Sequence, residues 1–172
     1  FPEAKTNVVF TLPTPADPTI FANCEVVVEL EIENQRVAPA PMEVRSCASQ
    51  WDGTRLTQWA CSQGAHGARD GLADTLGLEK DQVRVITPDV GGGFGMKGMA
   101  YPEYIVIAAA ARALGRPVRW MSDRSEAMLS DNGGRDLTST ATLALDADHK
   151  IIGYQVQTLA NMGAYSGQFA QP

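Results

Sequence analysis

The chain has 172 residues, enough for one domain or for a piece of a larger one. Hydrophobic residues make up 44% and charged residues 20%, which excludes a disordered or highly charged chain. A net charge of −6 argues against a broad nucleic-acid-binding surface, and no apolar run reaches the roughly 18–20 residues that a bilayer requires.

The opening "FPEAKTNVVFTLPTPADPTIFANC" holds four prolines in 24 residues and reads as a loop-rich connector over residues 1–23. "CEVVVELEIE" alternates apolar and polar positions and is β-branched, so it is a strand. Pro39 and Pro41 then break any helix, and Asp52-Gly53 marks a hairpin turn between "VRSCASQW" and "TRLTQWAC". "SQGAHGARDGLADTLGL" carries Ala65, Ala68, Leu72 and Leu76 at helical spacing, with Gly77 as its stop. "DQVRVITPD" is a short strand that runs into the cluster "VGGGFGMKG". "PEYIVIAAAARALG" is a helix with Pro102 in its first turn, Glu103 against the N-terminal dipole and Gly115 at its end. "RPVRWMSD" is a strand, "SEAMLS" a short helix capped by Asp123 or Ser125, and residues 135–165 a long hairpin turning at "DADHK". The mixture predicts an α+β fold over residues 24–172, with mixed sheet elements and packed helices. The chain starts at Phe1 and stops after a strand-like run at "GQFAQP", so the expectation is a fragment of a larger polypeptide.

Cys24, Cys47 and Cys61 are odd in number and form no Cys-x-x-Cys pair, so neither a zinc site nor an iron–sulfur cluster is expected within this chain. They read as small buried apolar residues of a reduced, cytoplasmic protein.

The glycine cluster carries the chemistry. Strand, glycine loop and helix in that order suit a main-chain cradle for a polar or anionic group, because glycines reach positive φ and let a ligand approach the backbone. A tight structural crossover fits the same composition. A Walker loop is excluded, since Lys97 lies between Met96 and Gly98. Gly93-x-Gly95-x-x-Gly98 matches the dinucleotide pattern formally, but the acidic residue expected about 20 positions on falls near Asp123, beyond a helix and a strand.

With its flanks, "VGGGFGMK" resembles the molybdenum-pterin-binding loop in the large subunit of the molybdenum hydroxylases, the xanthine dehydrogenase and aldehyde oxidase family. "NQRVAPAPMEVRSCASQWD", "LTQWACSQGAHGARDGLADTLGLEKDQVRVITPDV", "LGRPVRWMSDRSEAMLSDNGGRD" and "NMGAY" extend the similarity over most of the chain. "APAPMEVR" and "SQGAH" are most similar to carbon-monoxide-dehydrogenase-like and related aldehyde-oxidising large subunits.

The resemblance implies part of a larger molybdopterin-binding domain. It implies a molybdenum-pterin cofactor, as molybdopterin or its cytosine dinucleotide form, with 2Fe-2S clusters and FAD on partner subunits or domains. Gln63, Gly91, Gly92, Gly93, Phe94 and Gly95 would meet the cofactor. The Gln63 amide and the backbone N–H groups around Phe94 and Gly95 would face the oxygen ligands of the metal, with the Phe94 ring holding the loop against the core. Family chemistry is the oxidation or hydroxylation of a small substrate. The general-base glutamate lies downstream in the family, so no catalytic residue is expected here, and Glu43 and Glu103 are expected to be ion-paired or exposed. Purine-oxidising members place an acidic residue where this chain has Gly98, which points to an aldehyde, carbon monoxide or an N-heterocycle instead. Lys97 suits either a cofactor phosphate or a structural salt bridge. His66 reads as a helix-surface or packing residue, His149 as a solvated turn residue, and Arg135-Asp136 as structural. The rivals are a stand-alone anion- or nucleotide-binding module and a pure interaction domain.

Overall fold

A computed structural model describes residues 5–12, 17, 19–98 and 101–163. They form two compact units: one from the described residues up to 33 and 138–159, the other from the described residues between 34 and 137 and 160–163. The expected end of the hairpin beyond residue 163 lies outside the described residues.

In the first unit, β1 (Val26–Asn34), β6 (Leu137–Leu145) and β7 (Ile151–Ala160) make a three-stranded sheet in the order β1-β6-β7. The β6–β7 turn is organised by Asp146, whose Oδ1 accepts the N–H groups of Asp148 and Lys150, both at 2.9 Å. His149 sits in that turn at φ 59°, exposed as expected. Many apolar side chains of this sheet, such as Val27, Leu30, Tyr154 and Leu159, stay exposed.

The second unit holds a four-stranded sheet in the order β4-β3-β2-β5, from β2 (Ser46–Trp51), β3 (Leu56–Ala60), β4 (Val83–Ile86) and β5 (Val118–Met121). β2 runs antiparallel to β3 and β5. The β2–β3 turn is longer than a two-residue hairpin, because Asp52 Oδ1 gathers the N–H groups of Thr54 and Arg55 at 2.9 and 2.7 Å. β3 and β4 are parallel, with Leu56 opposite Val83 and Trp59 opposite Ile86. The helix between them, α1 (Ala65–Leu76), is the crossover that parallel strands require. The fold is thus α+β with one βαβ unit inside it.

The helix ends follow the local code. Gly77 and Gly115 take left-handed conformations at the ends of α1 and α2 (Pro102–Leu114), and Pro102 opens α2. Asp123 caps α3 (Arg124–Ser130), accepting the Glu126 N–H at 2.6 Å while the Glu126 side chain returns to the Asp123 N–H. Buried Tyr104, Ala108 and Ala111 mark the packed face of α2. Leu56, Leu72, Ala73, Val83 and Ala108 form one core cluster, and Cys47, Ala60, Met96, Tyr101 and Tyr104 another. Buried Gln58 ties the sheet to α2, donating to Ser49 Oγ at 2.9 Å and to the Tyr104 carbonyl at 2.8 Å. Cys47 and Cys61 are buried and Cys24 is half-buried, all three as free thiols. Burial pushes the Cys47 thiol up to about 12, so it packs rather than reacts.

Candidate functional site

Parallel pairing brings the site together. β3 and β4 end side by side at Trp59 and Ile86, so the segments leaving them emerge at the same sheet edge. Ligands of parallel sheets bind beyond the carboxyl ends of the strands. Gln63 lies in the short link between β3 and α1, not within a helix, and the loop 91–98 follows β4. The two meet directly: the Gly95 N–H donates to Gln63 Oε1 at 2.9 Å, and the Gln63 N–H donates to the Lys97 carbonyl at 3.1 Å.

The glycines serve different needs. A Cβ on residue 93 would lie 2.5 Å from Gln63 Cδ and 2.8 Å from Cγ, so Gly93 makes room for the carboxamide. A Cβ on residue 91 would lie 2.6 Å from Glu43 Cβ. Gly92 and Gly95 are needed for conformation instead, at φ +94° and +87°. Phe94 is also left-handed, at φ 52°. Its ring does not enter the core: Phe94 is 73% exposed, and its ring edge and Pro41 flank Gly92. The expectation that the Phe94 ring holds the loop against the core is therefore corrected.

One consequence concerns donors. The Gly95 N–H is taken by Gln63 Oε1, so the expectation that it faces the metal's oxygen ligands is corrected, and the Phe94 N–H is left as the candidate. An amide accepts only through its oxygen, so this bond leaves Gln63 Nε2 as the outward donor. Nε2 has no acceptor among the described residues, and neither do the N–H groups of Gly92, Gly93 and Phe94. The arrangement offers unspent neutral donors beside an exposed carboxamide, which suits an electron-rich oxygen ligand.

The charged residues around the loop are spent on one another. Lys97 is fully buried and its Nζ lies 2.7 Å from Glu43 Oε2, which settles it as a structural cation. Burial pushes the Glu43 carboxyl up, but the Lys97 ammonium and the Gly91 N–H outweigh it and leave the group below its ordinary value. Arg124 donates to the carbonyls of Pro41 and Met42 at 2.7 and 3.0 Å and so braces the segment that carries Glu43. Arg45, fully buried, pairs with Glu103 and Asp131 and stacks 3.7 Å from the Tyr101 ring centroid. Both glutamates are therefore ion-paired, as expected. Arg45 was not marked by sequence pattern; a lone arginine following the prolines and apolar residues of "APAPMEVR" was the available signal.

The other candidates fall elsewhere. His66 is exposed on α1. Asp136 binds Arg36 and Asn161, so its role is structural, although it and Arg135 both sit at φ 70°. A cavity of about 270 Å³ is lined by Arg55, His66, Arg69 and Arg84 among others and shares no residue with the loop. The unspent donors lie at the loop and not at this cavity. Among the described residues no cluster of His, Cys, Asp or Glu could hold a metal directly, and no helix is long and apolar enough to cross a membrane.

The family model for the molybdopterin cofactor-binding domain matches residues 1–172. The carbon monoxide dehydrogenase large chain of Hydrogenophaga pseudoflava is 36% identical over 87% of this chain and 19% of its own length. The nicotine 6-hydroxylase large subunit of Paenarthrobacter nicotinovorans is 36% identical over 84% of this chain and 18% of its own. Among solved structures, quinoline 2-oxidoreductase from Pseudomonas putida 86 superposes with a TM-score of 0.77 at 32% identity, covering 88% of this chain and 20% of that one. The chain thus spans about a fifth of the length of such relatives. With the whole chain matched by one family model and relatives 36% identical over more than four fifths of it, the chain belongs to the molybdopterin cofactor-binding domain family.

Proposed function

We propose that this chain forms one wall of a molybdenum-pterin site in the catalytic large subunit of an oxidoreductase. The carrying observation is the Gln63 carboxamide, oriented by the Gly95 N–H so that its own NH₂ remains unspent beside the free N–H groups of the glycine loop. The absent Cβ of Gly93 leaves the space that this orientation needs, so the residues present fit the group. Gln63 and the N–H groups of Gly92, Gly93 and Phe94 would hold it as donors with no added charge, while Gly91 and Gly95, whose N–H groups are taken by Glu43 and Gln63, would shape the loop around it. Since no side-chain cluster here could ligate a metal directly among the described residues, the metal would arrive on its pterin. When bound, such a cofactor supplies two-electron oxidation with oxygen transfer to the substrate. The electrons would leave through 2Fe-2S and FAD partners in the cytoplasm.

The substrate class we favour is an aldehyde, carbon monoxide or an N-heterocycle, in keeping with Gly98 and with the names of the relatives. Glu43 and Glu103 are tied to Lys97 and Arg45, so neither is free to act as a base. That supports a general base outside this chain and predicts no turnover by the fragment alone. The stand-alone anion-binding alternative is weakened because Lys97, the loop's own cation, is buried against Glu43. Gln63→Ala in the complete enzyme should lower kcat by about 10²-fold while costing no more than about 1 kcal/mol of stability, the worth of the bond from the Gly95 N–H. An unchanged rate removes Gln63 from the site. Tight nucleotide binding without molybdenum or pterin in the parent protein would favour the alternative.

A further inference from the structure

One carboxylate oxygen joins the two ends of the glycine loop. Glu43 Oε2 accepts the Lys97 ammonium at 2.7 Å and the Gly91 N–H at 2.9 Å. The Glu43 N–H donates back to the Gly91 carbonyl at 3.1 Å, and Glu43 Cβ fills the space a side chain at 91 would need. Lys97 is fully buried, so its charge must stay neutralised where it is. The Lys97 carbonyl accepts the Gln63 N–H at 3.1 Å, and the Gly95 N–H holds Gln63 Oε1 at 2.9 Å. Both of these ties on Gln63 come from the segment 91–97, and both ends of that segment are fastened to a single oxygen.

We infer that the Glu43–Lys97 pair is a positioning device: it fixes the loop, and through the loop the orientation of the Gln63 carboxamide, without touching cofactor or substrate. This rests on the reading of Gln63 as a cofactor-facing donor. Stability alone is a poor reason for the pair: Lys97 is buried while 35% of the Glu43 side chain is exposed, and an ion pair of either kind contributes little or can be replaced by apolar residues at small cost. What Leu and Met would not supply is a directional acceptor shared by two donors.

The test uses the complete large subunit with its partners, as Glu43→Gln and as the double variant Glu43→Leu/Lys97→Met. The first strands the buried ammonium. The second removes both charges and folds even where the first does not. In the cofactor-free subunit, amide hydrogen exchange of residues 88–98 should quicken about tenfold at Gly91 and Gly95 in the double variant, the equivalent of one lost hydrogen bond. In the loaded enzyme the Mo(V) paramagnetic resonance signal should change, and kcat should fall about tenfold with KM near the wild-type value. A double variant with wild-type exchange and an unaltered signal, differing only in unfolding midpoint, overturns the inference. Wild-type protein that carries no molybdenum would instead sink the reading of Gln63, while the exchange measurement still decides whether the pair sets the loop.

Discussion

Gly93→Ala separates room from conformation at the site. Gly93 has no positive φ, so alanine imposes no backbone strain there. Its methyl would come within 2.5 Å of Gln63 Cδ and 2.8 Å of Cγ. Carbon atoms rest at about 3.5–4.0 Å, so the carboxamide must retreat by roughly 1 Å. Gln63 is exposed and can swing into water, which releases the clash but gives up the bond from the Gly95 N–H. Losing that bond costs about 1 kcal/mol, and about 3 kcal/mol is the ceiling if the side chain stays and is overpacked. Loss of a positioned donor at a reacting centre costs far more in rate, about 10²–10³-fold in kcat. The variant should therefore unfold almost as wild type, keep its molybdenum and turn over poorly. Denaturant unfolding, metal analysis and steady-state rates on the complete enzyme measure the three. Gly95→Ala is the control with the opposite pattern: its Cβ meets nothing, but φ +87° strains any side chain by about 1–2 kcal/mol. A Gly93→Ala enzyme within about threefold of the wild-type kcat would refute the placement of Gln63.

Arg45→Leu should cost about 3–5 kcal/mol, toward the lower end because Glu103 keeps 27% of its side chain exposed and can be solvated; a loss under about 1 kcal/mol in denaturant unfolding would show the Arg45 pairings to be incidental. The hydrogen bond from Arg45, partly opposed by burial, holds the Glu103 carboxyl below its ordinary 4.5. Its contribution is therefore complete above about pH 4.5 and is lost as the pH falls through the depressed folded value. Glu103→Gln should flatten the loss of stability with acid below that point, and acid titrations of the two proteins with equal slopes would contradict the assignment.

Most of the fold's local features could be read from the residues because their causes are local. Pro102 and Gly115 bound a helix through backbone chemistry that needs no neighbour. The same holds for Asp123 with Glu126, and for Asp146 in its turn. What the sequence did not disclose depends on distant partners. The parallel register of β3 and β4 is set by packing across an intervening helix, and nothing in "LTQWA" or "VRVI" names its neighbour. The joining of β1 to the β6–β7 hairpin spans about a hundred residues in the same way. Yet it is the first of these pairings that carries Gln63 to the loop.

The loop itself shows how a pattern and its meaning come apart. In the sequence the four glycines from 91 to 95 are equivalent, and the tempting oddity is the Phe94 between them. In three dimensions the glycines divide into two kinds. Gly92 and Gly95 bend the chain at φ +94° and +87°, farther from the ordinary left-handed well than the 52° of Phe94, so any side chain there is strained. Gly91 and Gly93 give space to Glu43 and Gln63, and no side chain can stand in for missing volume. If the site is what its donors suggest, substitutions at 91 and 93 should act on the rate through Glu43 and Gln63, whereas substitutions at 92 and 95 should act first on the stability of the loop.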